Sequence, residues 1–333
     1  MFSLGAFVVV SLAGASSDAG SSPAAKASSL TRPAPTARIT GGRHGGKLVP
    51  RTGALFGTTV DGAGGNGLTL GELERRIHRK FRIVQHYYEF SQDFPTGIEP
   101  NMLKHGRIPM IGWRGVPLNQ ILSGQYDGHI RQNAIGVRKL HKLVFLRWGY
   151  EMNGSWEPWG GAANGGASGP AKFVRAWRRI HDIFVRNHAT NAVWVWAPNW
   201  EDIPKKSWNH WMRYYPGDRY VDWVGIDGFN WGAAKSWSHW VDMNRFVPGI
   251  YKDFHRRKPI MLAETASVEQ GGNKAKWIRQ TASIMKNKYP DIAAFVYFNG
   301  TDEHDSSIVW AVTSSSAAMS AFRDVGNSAY FRR

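Results

Sequence analysis

The chain has 333 residues, with 42 Lys and Arg against 25 Asp and Glu, a formal charge of +17, 16 tryptophans and no cysteine. The missing thiols exclude disulfides and Cys-ligated metals. The positive excess invites a nucleic-acid reading, but the basic residues are scattered through amphipathic segments such as 72–80 and 173–180, where a solvated helix face accounts for them. Loose attraction to acidic polymers is the stronger expectation.

In chain order, the apolar run from Leu4 to Leu12, followed by small residues through Ser17, has the form of a signal peptide over residues 1–20, although no Lys or Arg precedes it. It implies a secreted protein with no membrane association after cleavage. Residues 21–53 are rich in Ser, Ala, Pro, Gly and basic side chains, offer no periodic apolar face, and read as a linker. Residues 54–333 remain, near the upper limit for one hydrophobic core. No later stretch approaches the roughly 20 apolar residues that span a bilayer.

From Ala54 onward, short apolar runs alternate with longer helical patterns. The strands are expected at Ala54–Val60, Phe81–Tyr88, Ile108–Trp113, Val144–Trp148, Ala192–Ala197, Val221–Ile226, Pro259–Ala263 and Ala293–Phe298. Helical patterns lie between them at 70–80, 128–140, 171–186, 237–255 and 274–288, and 314–322 closes the chain. This alternation predicts an α/β protein, a single-domain (β/α)8 barrel. An open doubly wound sheet is the alternative, but no Gly-rich phosphate loop follows the first strand. The glycines of 62–67 lack dinucleotide spacing and read as a flexible loop.

Barrel chemistry sits at the carboxyl ends of the strands. The residues just past the runs are polar and unusual there: Arg147-Trp-Gly-Tyr-Glu151, Ala197-Pro-Asn-Trp200, Asp227-Gly-Phe-Asn-Trp231, Glu264-Thr265 and Tyr297-Phe-Asn299. Asn amides donate to and accept from sugar hydroxyls, and indoles stack on pyranose faces. Trp113, Trp159, Trp200 and Trp231 are expected along an open groove, whereas Trp194 and Trp223, both mid-strand, read as core. Glu151 after the fourth strand and Glu264 after the seventh can face each other across the barrel mouth, and two carboxyls about 5–5.5 Å apart suit retaining glycoside hydrolysis. A single Glu at a strand end would more often be a salt-bridge partner, with Arg147 the obvious neighbour of Glu151.

At these residues the sequence resembles glycoside hydrolase family 26, from about Leu55 to Phe322. The strongest stretch is Arg147–Trp159, with Glu-Met-Asn-Gly-Ser-Trp-Glu-Pro-Trp at its centre, and further similarity lies in Ile108–Trp113, Tyr215–Gly228, Lys258–Thr265, Tyr297–Asn299 and Trp310. The resemblance implies a (β/α)8 hydrolase in which Glu151 is the general acid/base and Glu264 the nucleophile, the first with a raised pKa and the second ionised. It also implies that Trp156 and Trp310 stack at the cleavage subsite and that Arg147 orients the nucleophile. The substrate-binding set is therefore Trp113, Arg147, Tyr150, Trp156, Trp159, Asn199, Phe229, Asn230 and Trp310.

Two positions depart from the family pattern. Tyr150 stands where the family commonly has His, and Phe229 where it commonly has a Tyr that donates to the nucleophile. Either Tyr150 or another nearby hydroxyl substitutes for that donor, or the substrate preference shifts or the enzyme is slower. The resulting expectation is a secreted, monomeric, retaining endo-β-glycanase acting on β-1,4-mannan, with β-1,3/1,4-glucan as rival substrate and β-1,3-xylan third. No cofactor, metal or nucleic-acid partner is expected, and scattered residues such as His86 and His141 form no ligand pattern. A carbohydrate-binding protein with impaired catalysis is the alternative from another class.

Overall fold

A computed structural model describes residues 46–59 and 68–331. The expected signal peptide, most of the linker, Val60 and the 62–67 glycine loop lie outside the described residues.

Eight parallel strands close into a barrel in sequence order. They are β1 (Leu55–Thr59), β2 (Ile83–Tyr88), β3 (Ile108–Trp113), β4 (Val144–Trp148), β5 (Ala192–Trp196), β6 (Trp223–Asn230), β7 (Ile260–Ser267) and β8 (Ile292–Tyr297). The runs are apolar and β-branched on both faces because one face fills the barrel and the other packs on helices. The helices are α1 (Leu70–Ile77), α2 (Ile98–Lys104), α3 (Leu118–Leu122), α4 (Asp127–Lys139), α5 (Gly169–Arg186), α6 (Met243–Phe246), α7 (Pro248–Phe254), α8 (Lys274–Asn287) and α9 (Ser316–Gly326). The longest, α5, buries Phe173, Ala176, Trp177, Ile180 and Phe184 along one stripe, the 3.6-residue period of a helix lying on a sheet. Among the described residues no helix is long and apolar enough to cross a membrane.

Trp194 and Trp223 are core residues, as expected. Three features differ from the sequence reading. The helix expected over 237–255 is two short helices, α6 and α7, because Pro248 has no amide hydrogen to continue the first into the second. The strands β6 and β7 run on to Asn230 and Ser267, so Asp227 and Glu264 lie inside strands rather than past their ends, opposite each other in register. Irregularities in the ladder fall at Ile226/Asp227 and between Leu262 and Thr265; such shifts re-aim side chains at barrel rims. Finally, residues 46–53, read as linker, pack across the strand starts. Val49 is buried, the Trp223 indole donates to the Lys47 carbonyl at 2.8 Å, and the Ala54 amide donates to the Tyr330 carbonyl at 3.0 Å.

Candidate active site

The end of β4 carries Glu151. Gly149 and Glu151 both take left-handed backbone conformations, φ 58° and 53°. For glutamate this costs about 1–2 kcal/mol, and the Glu151 amide is held in place by donating to the Ala197 carbonyl at 2.8 Å. This turn lifts the Glu151 side chain over the barrel mouth. Its Oε2 accepts from Trp156 Nε1 at 2.7 Å and its Oε1 from Asn199 Nδ2 at 3.1 Å. Asn199 is itself locked by Asn153: the Asn199 amide donates to Asn153 Oδ1 at 2.9 Å, and Asn153 Nδ2 donates to the Asn199 carbonyl at 2.9 Å. Trp156 keeps 44% of its surface exposed, and it lies so close over Gly154 that an added Cβ would meet the ring at 2.4 Å.

Glu264 is held from the barrel interior. Glu264 Oε1 accepts from Gln85 Nε2 at 2.6 Å and from Arg147 Nη1 at 2.9 Å. Arg147 is fully buried and turns its other terminal nitrogen to Asp227 Oδ2; the guanidinium also lies 4.1 Å from the Tyr150 ring centre. Its ion-pair partners are thus Glu264 and Asp227, not Glu151. Glu151, Asp227 and Glu264 bring one oxygen each within 4.8 Å of the others. Three carboxylates at that spacing could share a cation, and the Arg147 guanidinium already supplies positive charge to two of them. Arg147 Nε, Asp227 Oδ1 and Gln85 Oε1 are buried without a hydrogen-bond partner, each costing about 1–3 kcal/mol; such unsatisfied groups concentrate where function sets the geometry.

Burial governs the protonation of the site. It raises the Glu151 carboxyl, against the Trp156 donor, the Arg147 charge and Asn199. Burial also pushes Glu264 and Asp227 up, each to about 8. Both glutamates, rather than Glu151 alone, are therefore raised. The donors are unequal, however. Glu264 accepts one neutral and one cationic bond on a single oxygen, whereas Glu151 accepts only neutral bonds. Ionised carboxylates gain most from cationic donors, so Arg147 favours charge on Glu264 and Asp227 over charge on Glu151. Near the acid, Glu157 is raised to about 8 by burial and by the Glu151 charge.

The nine residues expected to bind substrate divide by position. Arg147, Trp156 and Asn199 meet at the carboxylates. Tyr150 is buried beside them, its ring against Arg147 and Trp159. Trp159 is a support rather than a groove wall: it is 1% exposed and its indole donates to the Tyr150 carbonyl at 2.7 Å. Trp113 is also corrected. Strand alternation turns it outward into the helix layer, fully buried and stacked on Phe90 at 4.9 Å. Asn230 is scaffold: it donates to Ser267 Oγ at 2.9 Å and accepts from the Val241 amide at 2.9 Å. Trp310 is 1% exposed under Phe229 and Trp231, so its faces are already covered. The buried Lys274 ammonium holds that segment by donating to the carbonyls of Val309 at 3.3 Å and Ala311 at 2.7 Å and to Ser314 Oγ at 2.9 Å. Phe229 packs on Phe298 and Trp310. Beside Arg147, the donor to Glu264 is the Gln85 amide, which also contacts the Tyr87 hydroxyl. Of the other groove candidates, Trp200 is half-buried on Phe246 with Arg245 over its ring at 5.3 Å, and it lines an open pocket of about 380 Å³ with Asp202, Lys206 and His210.

Sequence reasoning missed Gln85, Asn153 and the pairing of Asp227 with Arg147. A polar side chain inside an otherwise apolar strand was the available signal for Gln85.

Comparison with known proteins agrees with the barrel fold. Residues 119–252 match the model of glycosyl hydrolase family 26. The chain is 34% identical to Endoglucanase H of Acetivibrio thermocellus over 253 residues, 74% of this chain and 27% of that protein. It is 24% identical to β-1,3-xylanase TXYA of Vibrio sp over 294 residues, 80% of this chain and 60% of that protein. The chain therefore spans about a quarter of the first relative and three fifths of the second. The structure of a family 26 β-mannanase from Bacteroides ovatus shares the fold, with a TM-score of 0.61 at 14% identity over 84% of this chain and 90% of that one. With an eight-stranded barrel, two facing glutamates at its carboxyl end and these matches, the chain resembles glycosyl hydrolase family 26.

Proposed function

We propose that this chain is a retaining endo-β-glycanase. The observation that carries the reading is the spacing of Glu151 and Glu264, whose nearest oxygens lie within 4.8 Å. Retaining hydrolysis uses carboxyls about 5–5.5 Å apart, whereas inversion needs about 6.5–9.5 Å to admit a water. In the first step, Glu264 Oε2, the oxygen not engaged by Gln85 and Arg147, attacks the anomeric carbon. The glycosidic bond breaks as Glu151 gives its proton to the leaving oxygen. In the second, Glu151, now a base, takes a proton from water; the water oxygen displaces Glu264 and regenerates both carboxyls. Trp156 sits against the acid, where it can stack on the leaving sugar.

β-Glucan is the favoured substrate, ahead of β-1,4-mannan and β-1,3-xylan. The relative named as an endoglucanase shares 34% identity, against 25% for a mannan endo-1,4-β-mannosidase of Caldalkalibacillus mannanilyticus and 24% for the β-1,3-xylanase. Secretion after loss of residues 1–20 and action as a monomer complete the proposal, in line with a polymeric substrate that cannot enter a cell. Reducing-sugar release from mixed-linkage β-glucan, β-1,4-mannan and β-1,3-xylan, with Glu264→Ala as control, tests it. Release from glucan by the unmutated protein alone supports the reading; retention of glycan without turnover overturns it.

A further inference from the structure

The loop that follows β6, residues 231–242, carries an aromatic pair that the catalytic step does not use. Trp237 is 69% exposed, the most exposed of the large apolar side chains among the described residues. Its ring lies 5.4 Å from that of half-buried Trp231, which in turn meets Trp310 edge-on at 4.8 Å, and Trp310 contacts Phe229 at 5.0 Å. Phe229 is two residues from Asp227 on the same strand. A continuous row of rings therefore runs from the floor of the catalytic site outward to solvent. The loop is held from several sides. Asn230 Oδ1 accepts from the amides of Gly232 at 3.3 Å and Val241 at 2.9 Å, closing both of its ends. The Ala233 amide donates to the Gln270 carbonyl at 3.0 Å, and Ser238 Oγ donates to the Gly232 carbonyl at 2.8 Å. The Lys235 ammonium reaches Asp305 Oδ2 at 2.7 Å on the loop after β8, and Lys235 and Ser307 hold the Asp305 carboxyl down at about 2.

An indole exposed on a pinned loop is an arrangement that hydration alone disfavours and that a stacked apolar face relieves. The row's continuity with the carboxylate site identifies the occupant as a pyranose ring of the same glycan chain. We infer that Trp237, backed by Trp231, is a stacking platform for a sugar of the substrate distant from the scissile linkage. This gives the enzyme a binding subsite beyond the catalytic one and a preference for long chains, and it explains why Asn230 is spent on bracing the loop rather than on substrate.

The inference rests on the β-glycanase reading, so its test is a binding measurement that does not need turnover. In the full chain carrying Glu264→Ala, tryptophan fluorescence is titrated with mixed-linkage β-glucan and β-1,4-mannan oligosaccharides of two to six sugars, with and without Trp237→Ala. The platform predicts that Trp237→Ala weakens binding of the six-sugar ligand about three- to tenfold, that the loss shrinks as the ligand shortens, and that Trp237→Tyr restores most of it. A loss equal for all lengths, no loss, no binding of any oligosaccharide, or a shift of oligomeric state caused by Trp237→Ala overturns the platform. Failure of the unmutated chain to release sugar while Trp237-dependent binding persists overturns the enzymatic reading and leaves the platform standing.

Discussion

Replacing Gln85 by Met is the most informative perturbation of the site. The side chain keeps its length and apolar stem, while Glu264 loses one of its two donors and retains Arg147 at 2.9 Å. A hydrogen bond to a charged group contributes about 1.5–3 kcal/mol, equivalent to a rise of about one to two pH units in the carboxyl it stabilises. Burial already puts Glu264 at about 8, so at pH 6 the ionised fraction should fall by about 10- to 100-fold. The assay is the pH profile of kcat/KM on soluble β-glucan. It should show a loss of that size at pH 6 and an acidic limb moved upward, with KM little changed. Apart from the contacts of its amide nitrogen with Glu264 and the Tyr87 hydroxyl, Gln85 has no hydrogen bond to lose, since its carbonyl oxygen has no partner. An acidic limb that stays in place, with kcat/KM within twofold of the unmutated enzyme, would show that Gln85 does not support the nucleophile.

Three further outcomes follow from named contacts. Trp156→Phe removes the 2.7 Å donor that lowers the Glu151 carboxyl, so the alkaline limb of the same profile should move to higher pH; a downward move would contradict the assignment of Glu151 as acid. Arg147→Met leaves Asp227 and Glu264 without their shared cation in a buried site and should destabilise the fold by about 3–5 kcal/mol in denaturant titration, whereas a change under 1 kcal/mol would mean that the carboxyls are neutral without it. Burial lowers Lys274 to about 7 from its ordinary 10.5, so between those values the unfolded chain binds more protons than the folded one and stability gains as pH rises. The difference in urea midpoint between the unmutated chain and Lys274→Met should therefore shift in favour of the lysine from pH 7 to pH 10; a pH-independent difference would refute that burial.

The barrel was legible because every strand is a short apolar run, and the two glutamates were legible because each interrupts such a run at its carboxyl end. What escaped was the side-chain direction within strands. Trp113 and Gln85 both lie in apolar runs near the rim, but one turns outward to the helices and the other inward to Glu264, and a strand apolar on both faces gives no alternation from which to tell them apart. The resemblance puts Arg147 at Glu264, where it lies, but nothing along the chain points to its second partner Asp227, a contact made across the barrel. Asn230 and Trp310 have side chains suited to sugar binding, but the Asn230 amide bonds within the fold and the Trp310 ring packs on Phe229 and Trp231. The break between α6 and α7 was readable in Pro248, against an apolar periodicity that continues through it.

The central claim is that Glu151 and Glu264 cleave a β-linkage in two displacements. Proton NMR of the first sugar ends released from mixed-linkage β-glucan measures it directly, before mutarotation sets in. The account predicts that the β-anomer appears first and that Glu264→Ala abolishes its formation; first appearance of the α-anomer, or undiminished release by Glu264→Ala, would contradict it.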